Sequence, residues 1–493
     1  MNAAVTAQSH KNLALNTVAF TVCFAAWMIN GVLVTFLVSN QVYSWNAVQI
    51  GWLMGIPVLT GSVFRLPAGM LTDKFGGKPV FSVLMFLVAV PMFLLSRADS
   101  FTGFVLCSFG FGLSGASFAV GIAFSSLWYP KERQGTALGI FGMGNAGAAL
   151  TTLFAPSLLN RLTNGGASPD GWRMLPVYYS VLLVIMGIVF LLLSDNRKPA
   201  ASGKTFRVML KPLKKVRVWR FGLYYFLVFG CFVAFSQWLV PYFVNVYMLP
   251  LVTAGLFASM FSLPSGIIRA LGGWFSDIWG ARKVMFCVLG FSVVIAFMLS
   301  IPQMEIFSPG KGVMAALPGT VTSVGPDTVT VGSRAYRLRP KPESVRNYKD
   351  DFLILPRKTV WQEPVVTAGQ QVKRKELLAK GVTRIFYQSN VWIFAVLAIC
   401  IGSIWGIGKA AVYKYIPDYF PDEVGVVGGM VGVLGGLGGF CSPIIFGYLL
   451  EWTGLWSSCW MFMLILSAVC IFWLYSVVHK MAKEKVPEIE NKM

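Results

Sequence analysis

Apolar residues recur along this chain in unbroken stretches, and a helix needs about 20 of them to cross some 30 Å of hydrocarbon. Twelve stretches are long enough: 13–38, 48–71, 79–97, 101–128, 136–160, 172–194, 221–246, 252–275, 284–302, 391–416, 424–450 and 455–478. Backbone groups in lipid must be satisfied within the segment, so these runs are helices. The pattern predicts an all-α polytopic membrane protein with a six-helix bundle over 1–194, a linker over 195–220, helices 7–9 over 221–302, and helices 10–12 with a tail over 389–493. Residues 303–388 break the pattern. There Gly319-Thr-Val-Thr-Ser-Val, the turn Gly325-Pro326-Asp327 and Thr328-Val-Thr-Val alternate with a period of two, which predicts a hairpin in a small β-rich insert on the extracytoplasmic side.

Composition agrees with lipid as the main solvent: of 493 residues 56% are hydrophobic and 12% charged, where a soluble domain carries about 25% charged residues. The net charge of +21 would suggest nucleic acid in a soluble chain. Here 21 of the 41 Lys and Arg fall in alternate loops and both tails, against Arg97, Arg161 and Arg173 in the opposite short loops. That bias orients both termini to the cytoplasm and removes the need for a nucleic-acid partner; membrane lipids are the surroundings it implies, and a bacterial cytoplasmic (inner) membrane is the expected location. All eight cysteines lie in apolar runs and no CxxC pair occurs. With no nucleophile–base pair, metal-spaced cluster or phosphate-cradling loop, we expect no enzyme, no metal and no cofactor.

A shift of 204 residues lays Ser62-Val-Phe-Arg-Leu-Pro-Ala-Gly-Met-Leu-Thr-Asp-Lys-Phe-Gly-Gly-Lys on Gly266-Ile-Ile-Arg-Ala-Leu-Gly-Gly-Trp-Phe-Ser-Asp-Ile-Trp-Gly-Ala-Arg. Arg65 matches Arg269, Gly69 matches Gly273, Asp73 matches Asp277 and Gly76 matches Gly280. Secondary transporters are built from such repeated halves, with the cargo held between them.

Intramembrane charges mark function. Only Arg65, Arg269 and Lys409 lie inside the predicted spans away from their ends, while all 20 Asp and Glu and both histidines fall in loops, helix ends, the insert or the tails. At 1.5 Å per residue, Arg65 stands about 12 Å from the helix end at Asp73, near the bilayer middle, and Arg269 repeats this. Two guanidinium groups with no internal counter-ion suit a small planar monoanion, which their flat donor forks match; snorkelling or carbonyl capping is the plainer alternative. Lys409 is the candidate for proton coupling or for a third anion ligand.

Helix 5 carries Gly139, Gly142, Gly144, Asn145 and Gly147, and helix 11 carries Gly428, Gly429, Gly432, Gly435, Gly436, Gly438 and Gly439. Small residues three and four apart let helices approach closely, for packing alone or for packing with sliding between gating states.

The duplicated Gly-x-x-x-Asp-x-x-Gly-x-(Lys/Arg) loop resembles motif A of the major facilitator superfamily, where the aspartate gates and packs. Trp128-Tyr-Pro-Lys-Glu-Arg-Gln-Gly-Thr-Ala-Leu-Gly-Ile-Phe-Gly-Met-Gly-Asn-Ala-Gly147 and the helix 11 run resemble the two glycine-rich signatures of its nitrate/nitrite porter family. Gly408-Lys409-Ala-Ala-Val-Tyr-Lys-Tyr-Ile-Pro417 resembles the proton-coupled symporter branch. The resemblance covers all twelve spans and omits the insert. It implies a twelve-helix, six-plus-six fold and a nitrate importer using protons, possible nitrite transport included. It also implies that Arg65 and Arg269 clamp nitrate, that Asn145 hydrogen-bonds it, and that Phe118, Tyr225 and Phe229 lie beside it. Gating would fall to Asp73, Asp277, Gly69, Gly273, Gly139, Gly142, Gly144, Gly432, Gly435 and Gly436. Nitrate/nitrite antiport, and a nitrate sensor signalling through the insert to a partner the sequence does not identify, are the competing readings.

Overall fold

The computed structural model describes residues 5–197, 211–301, 304–341, 357–387, 390–420 and 424–490; Lys198, Lys204 and Arg207 of the expected linker lie outside them. Twelve helices of membrane-crossing length and apolarity are present among the described residues. They are α1 (Ala7–Ser39), α2 (Ala47–Phe75), α3 (Gly77–Leu95), α4 (Phe101–Ser126), α5 (Ala137–Leu162), α6 (Pro169–Leu193) and α7 (Val216–Tyr247). The remainder are α8 (Leu251–Trp279), α9 (Ala281–Leu299), α10 (Val391–Tyr419), α11 (Val424–Thr453) and α12 (Ser458–Glu490). Helix α7 starts at Val216, inside the stretch that sequence assigns to the linker, because Val218, Phe221 and Tyr224 supply a buried face from the first turns.

The repeat appears in the backbone. Gly76 ends α2 at φ 88° and Gly280 ends α8 at φ 81°, a region where a side chain is strained and glycine is not. Both turns therefore close the same way, and they mark one end of the bundle, the motif end.

The two halves meet along α2 with α11 and along α5 with α8, and the fit between them tapers. Away from the motif end, a Cβ on Gly51 or Gly55 of α2 would strike the backbone of Pro443 or Phe440, one on Gly447 would meet the Ala47 carbonyl, and one on Gly255 the Thr152 carbonyl. Midway, a Cβ on Gly142 or on Gly432 would stand 3.9 Å from the guanidinium of Arg269 or Arg65 in the opposite half. Toward the motif end, Gly69, Gly139, Gly273 and Gly429 face nothing within 4 Å. The halves are closed at one end and splayed at the other.

Residues Ile301–Phe394 form a separate compact unit. Strands β1 (Met304–Met314), β5 (Arg357–Pro364) and β7 (Leu377–Tyr387) form one antiparallel sheet in the order β1-β7-β5. Strands β2 (Gly319–Val324), β3 (Thr328–Val331), β4 (Arg334–Arg337) and β6 (Gln371–Val372) form the other, in the order β4-β3-β2-β6. The expected hairpin is β2–β3, pairing Val321 with Val331 and Val324 with Val329. Its alternation sends Val321, Val329 and Val331 into a core with Leu338, Val372 and Leu378.

Candidate anion-binding site

Helical regularity fails at one level of the bundle. Helix α2 is interrupted at Phe64, immediately before Arg65. Helix α4 tightens to 3₁₀ over Leu113–Ala116, α5 does so over Met143–Ala146, and α7 widens to a π-turn over Phe226–Cys231. Such interruptions recur at functional sites, since they release backbone groups from the helical ladder. Between them they hold Gly115, Asn145 and Phe229, and the one in α4 ends two residues before Phe118.

Arg65 projects from the α2 break into this layer and is buried. Its Nε donates to the Gly115 carbonyl at 3.4 Å and its Nη1 to the Gly432 carbonyl at 3.1 Å, across the seam in the other half. Three rings enclose the guanidinium: Phe118 and Phe229 each at 5.3 Å and Trp27 at 5.8 Å from its central carbon. Arg269 reaches the same layer from α8, with its central carbon 5.8 Å from the Phe118 ring and 5.9 Å from that of Tyr413. One ring therefore lies within 6 Å of both arginines, the reach of a cation–π contact. The arrangement is reciprocal: Arg65 Nη1 stands 3.9 Å from where a Cβ on Gly432 would be, and Arg269 Nη1 stands 3.9 Å from the same point on Gly142. Each guanidinium is thus fitted against a glycine of the opposite half.

Among the described residues neither arginine forms an ion pair. Among the described residues, Arg269 Nη1 and Tyr225 Oη are buried donors that meet no hydrogen-bond partner, and Asn145 carries a buried side-chain oxygen, an acceptor, likewise unmatched. Leaving buried charges and polar groups unsatisfied costs several kcal/mol. A planar oxyanion fits this donor set chemically, accepting from both forks and from the tyrosine. Tyr225 stacks on Phe229 at 4.9 Å with planes 6° apart and meets Tyr413 edge-on at 5.0 Å.

Lys409 is fully buried. Its Nζ donates to Ser265 Oγ at 2.9 Å and stands 3.1 Å over the Phe232 ring. Ser265 precedes Arg269 by four residues on α8, one turn along the same face, so the lysine sits about one turn from the arginine.

Residues 15–328 and 377–492 match the profile described as Major Facilitator Superfamily. A "Probable nitrate/nitrite antiporter NarK1" from Thermus thermophilus is 37% identical over 482 residues, covering 97% of this chain and 93% of the relative. The chain belongs to the nitrate/nitrite porter family of the Major Facilitator Superfamily. A "Nitrite extrusion protein" from Bacillus subtilis (strain 168) is 26% identical, with 95% of each chain covered. A "Probable nitrate transporter NarT" from Staphylococcus epidermidis is 25% identical, covering 97% of this chain and 98% of that one. Among solved structures, a bacterial homologue of the human lysosomal transporter Spinster, inward-facing and occupied, superposes with a TM-score of 0.66. It is 11% identical and covers 97% of this chain and 98% of its own, a likeness of fold.

In this porter the two motif aspartates are placed differently. Asp277 pairs with Lys414 of α10 at 2.5 Å. Asp73 is exposed at the end of α2, and among the described residues it has no ion-pair partner. The glycines also divide. Gly144, Gly435 and Gly436 are tightly packed, facing Phe20, Tyr225 and Ser62, whereas Gly69, Gly139 and Gly273 border the splayed region. Sequence reasoning missed Trp27, Tyr413, Ser265 and Phe232. Tyr413 and Ser265 had a usable signal, lying one helical turn from Lys409 and from Arg269; Trp27 and Phe232 had none.

Proposed function

We propose that this porter imports nitrate across the bacterial cytoplasmic membrane by alternating access, with nitrate held between Arg65 and Arg269 and both termini cytoplasmic. The reading rests on one observation: a buried guanidinium, Arg65, and a half-buried one, Arg269, from equivalent places in the halves share the Phe118 ring and have no carboxylate partner among the described residues. With the motif end cytoplasmic, the taper of the seam corresponds to an inward-facing conformation. Tyr225 Oη completes the donor set, Asn145 can donate to the anion only through its Nδ2 amide, and Phe118 and Phe229 present flat faces to a flat anion.

Moving an anion inward against an inside-negative potential costs about 2.3 kcal/mol per 100 mV, so net inward current needs at least two protons per nitrate, while a single proton or an exchanged anion cancels the electrical cost. We assign the coupling role to Lys409, which adjoins the arginine and lacks a carboxylate among the described residues. Nitrate/nitrite exchange is favoured instead by the name of the Thermus thermophilus relative. Counterflow of labelled nitrate in proteoliposomes, challenged with nitrite, chlorate and chloride with and without a pH gradient, tests both. Symport predicts nitrate-induced alkalinisation outside and uptake driven by the gradient alone. Exchange predicts uptake only with nitrite or nitrate on the far side, and indifference to labelled nitrate overturns both.

A further inference from the structure

A second group of arginines without carboxylate partners lies at the motif end, within the C-terminal half and apart from the central site. A crevice there is lined by Arg220 and Tyr224 of α7, Arg282 of α9, Tyr419 of α10, and Leu474 and Val477 of α12. Arg220 is only 7% exposed and its Nε has no hydrogen-bond partner; its guanidinium rests 5.4 Å over the Phe221 ring. Tyr224 Oη is likewise buried and unpartnered. Arg282, exposed, donates from Nη2 to Tyr419 Oη at 2.9 Å, and Arg217 lies 5.3 Å over that same ring. Among the described residues none of these arginines forms an ion pair, and Asp277 at the end of α8 is engaged by Lys414.

Two features decide what such a site takes. The first is its donors: a nearly buried guanidinium, an exposed one and a tyrosine hydroxyl suit a phosphate oxyanion, with several acceptor oxygens available. The second is the surroundings. Val216 and Trp219, on the opening turns of α7 that carry Arg220, are 68% and 50% exposed, and Tyr475, next in α12 to the lining Leu474, is 58% exposed. A free inorganic anion has no use for exposed apolar side chains on the same helices, whereas tryptophan and tyrosine beside arginine are characteristic of the level where headgroups meet acyl chains. Basic crevices between helices on the cytoplasmic side bind anionic headgroups in this way.

We propose that the phosphodiester headgroup of an anionic phospholipid docks at the mouth of this crevice, held by Arg220 and Arg282, with its chains lying along the exposed apolar side chains of α7 and α12. The full-length protein, delipidated in detergent, is titrated with phosphatidylglycerol, phosphatidylcholine or inorganic phosphate, and read by native mass spectrometry and thermal stability. Phosphatidylglycerol is expected to bind about tenfold more tightly than phosphatidylcholine, with inorganic phosphate giving no stabilisation at millimolar levels. The preference is expected to disappear in Arg220→Gln and in Arg282→Gln. Because Arg282 is exposed, its variant carries the test even if Arg220→Gln fails to fold. Equal binding of both lipids, a preference that survives Arg282→Gln, or equivalent stabilisation by inorganic phosphate overturns the proposal.

Discussion

Arg65 Nη1 donates to the carbonyl of Gly432, 367 positions away and in the other half of the bundle. The same glycine leaves the side chain its place, since a Cβ there would stand 3.9 Å from Nη1 and 3.1 Å from Tyr413 Oη. This bond crosses the seam at the level where the halves begin to part, so it links the anion site to the relative position of the halves.

A planar fork is what the site uses, beyond bare charge. Arg65→Lys and Arg269→Lys keep the charge and lose bidentate geometry. Each charged hydrogen bond is worth about 1.5–3 kcal/mol, so nitrate counterflow is expected to fall roughly tenfold to a hundredfold in either variant. Near-normal flux in both would exclude the paired clamp.

Tyr225 separates binding from stability. Its hydroxyl is buried with no hydrogen-bond partner among the described residues, so Tyr225→Phe is expected to leave thermal stability in anion-free buffer unchanged or slightly higher. Nitrate affinity, measured by calorimetry, is expected to fall about five- to tenfold with the lost donor. A stability loss with unchanged affinity would assign the hydroxyl to packing.

The closed end of the seam depends on glycine. Gly51→Val places a branched side chain against the Pro443 carbonyl and is expected to shift the population toward a conformation open at that end. Spin labels at Ser44 and Glu451, both exposed, in a background lacking the native cysteines, report this as a longer distance component. An unchanged distribution contradicts the rigid-halves description.

The start of α1 is tied to the end of α6 by Asp195, which accepts from Lys11 at 2.8 Å and Asn12 at 3.1 Å. Lys11 first, with Gln8 and Asn12, holds this carboxyl down at about 2. A carboxylate depressed by folding stabilises above its unfolded value of about 3.9 and loses that contribution as pH falls through the folded value. Acidification from pH 6 to pH 3 is therefore expected to lower the Tm of the wild type more than that of Asp195→Asn; equal slopes would remove the tie.

How much of this is legible in the sequence follows from what lipid forces into the open. Spans are legible because hydrocarbon demands long apolar runs, and Arg65, Arg269 and Lys409 stand out because charge is rare inside them. The β2–β3 hairpin is legible because alternation and a Gly-Pro-Asp turn coincide. Trp27 and Phe232 are not, since in a chain that is 14% aromatic a ring says nothing about which face it occupies. The 3₁₀ turn at Met143–Ala146 hides within a glycine-rich run, and the π-turn over Phe226–Cys231 has no sequence signature. Arg220 reads as a loop residue because it ends a basic stretch; only the early start of α7 tucks it inside.

Phe118 is carried by the first half, and Arg269 by the second. In any rocking of one half on the other, the ring travels with Arg65 and parts company with its other cation. In the proposed transport cycle, release to one side therefore begins with a divided grip, Arg65 keeping the Phe118 face while Phe229 leaves with Arg269.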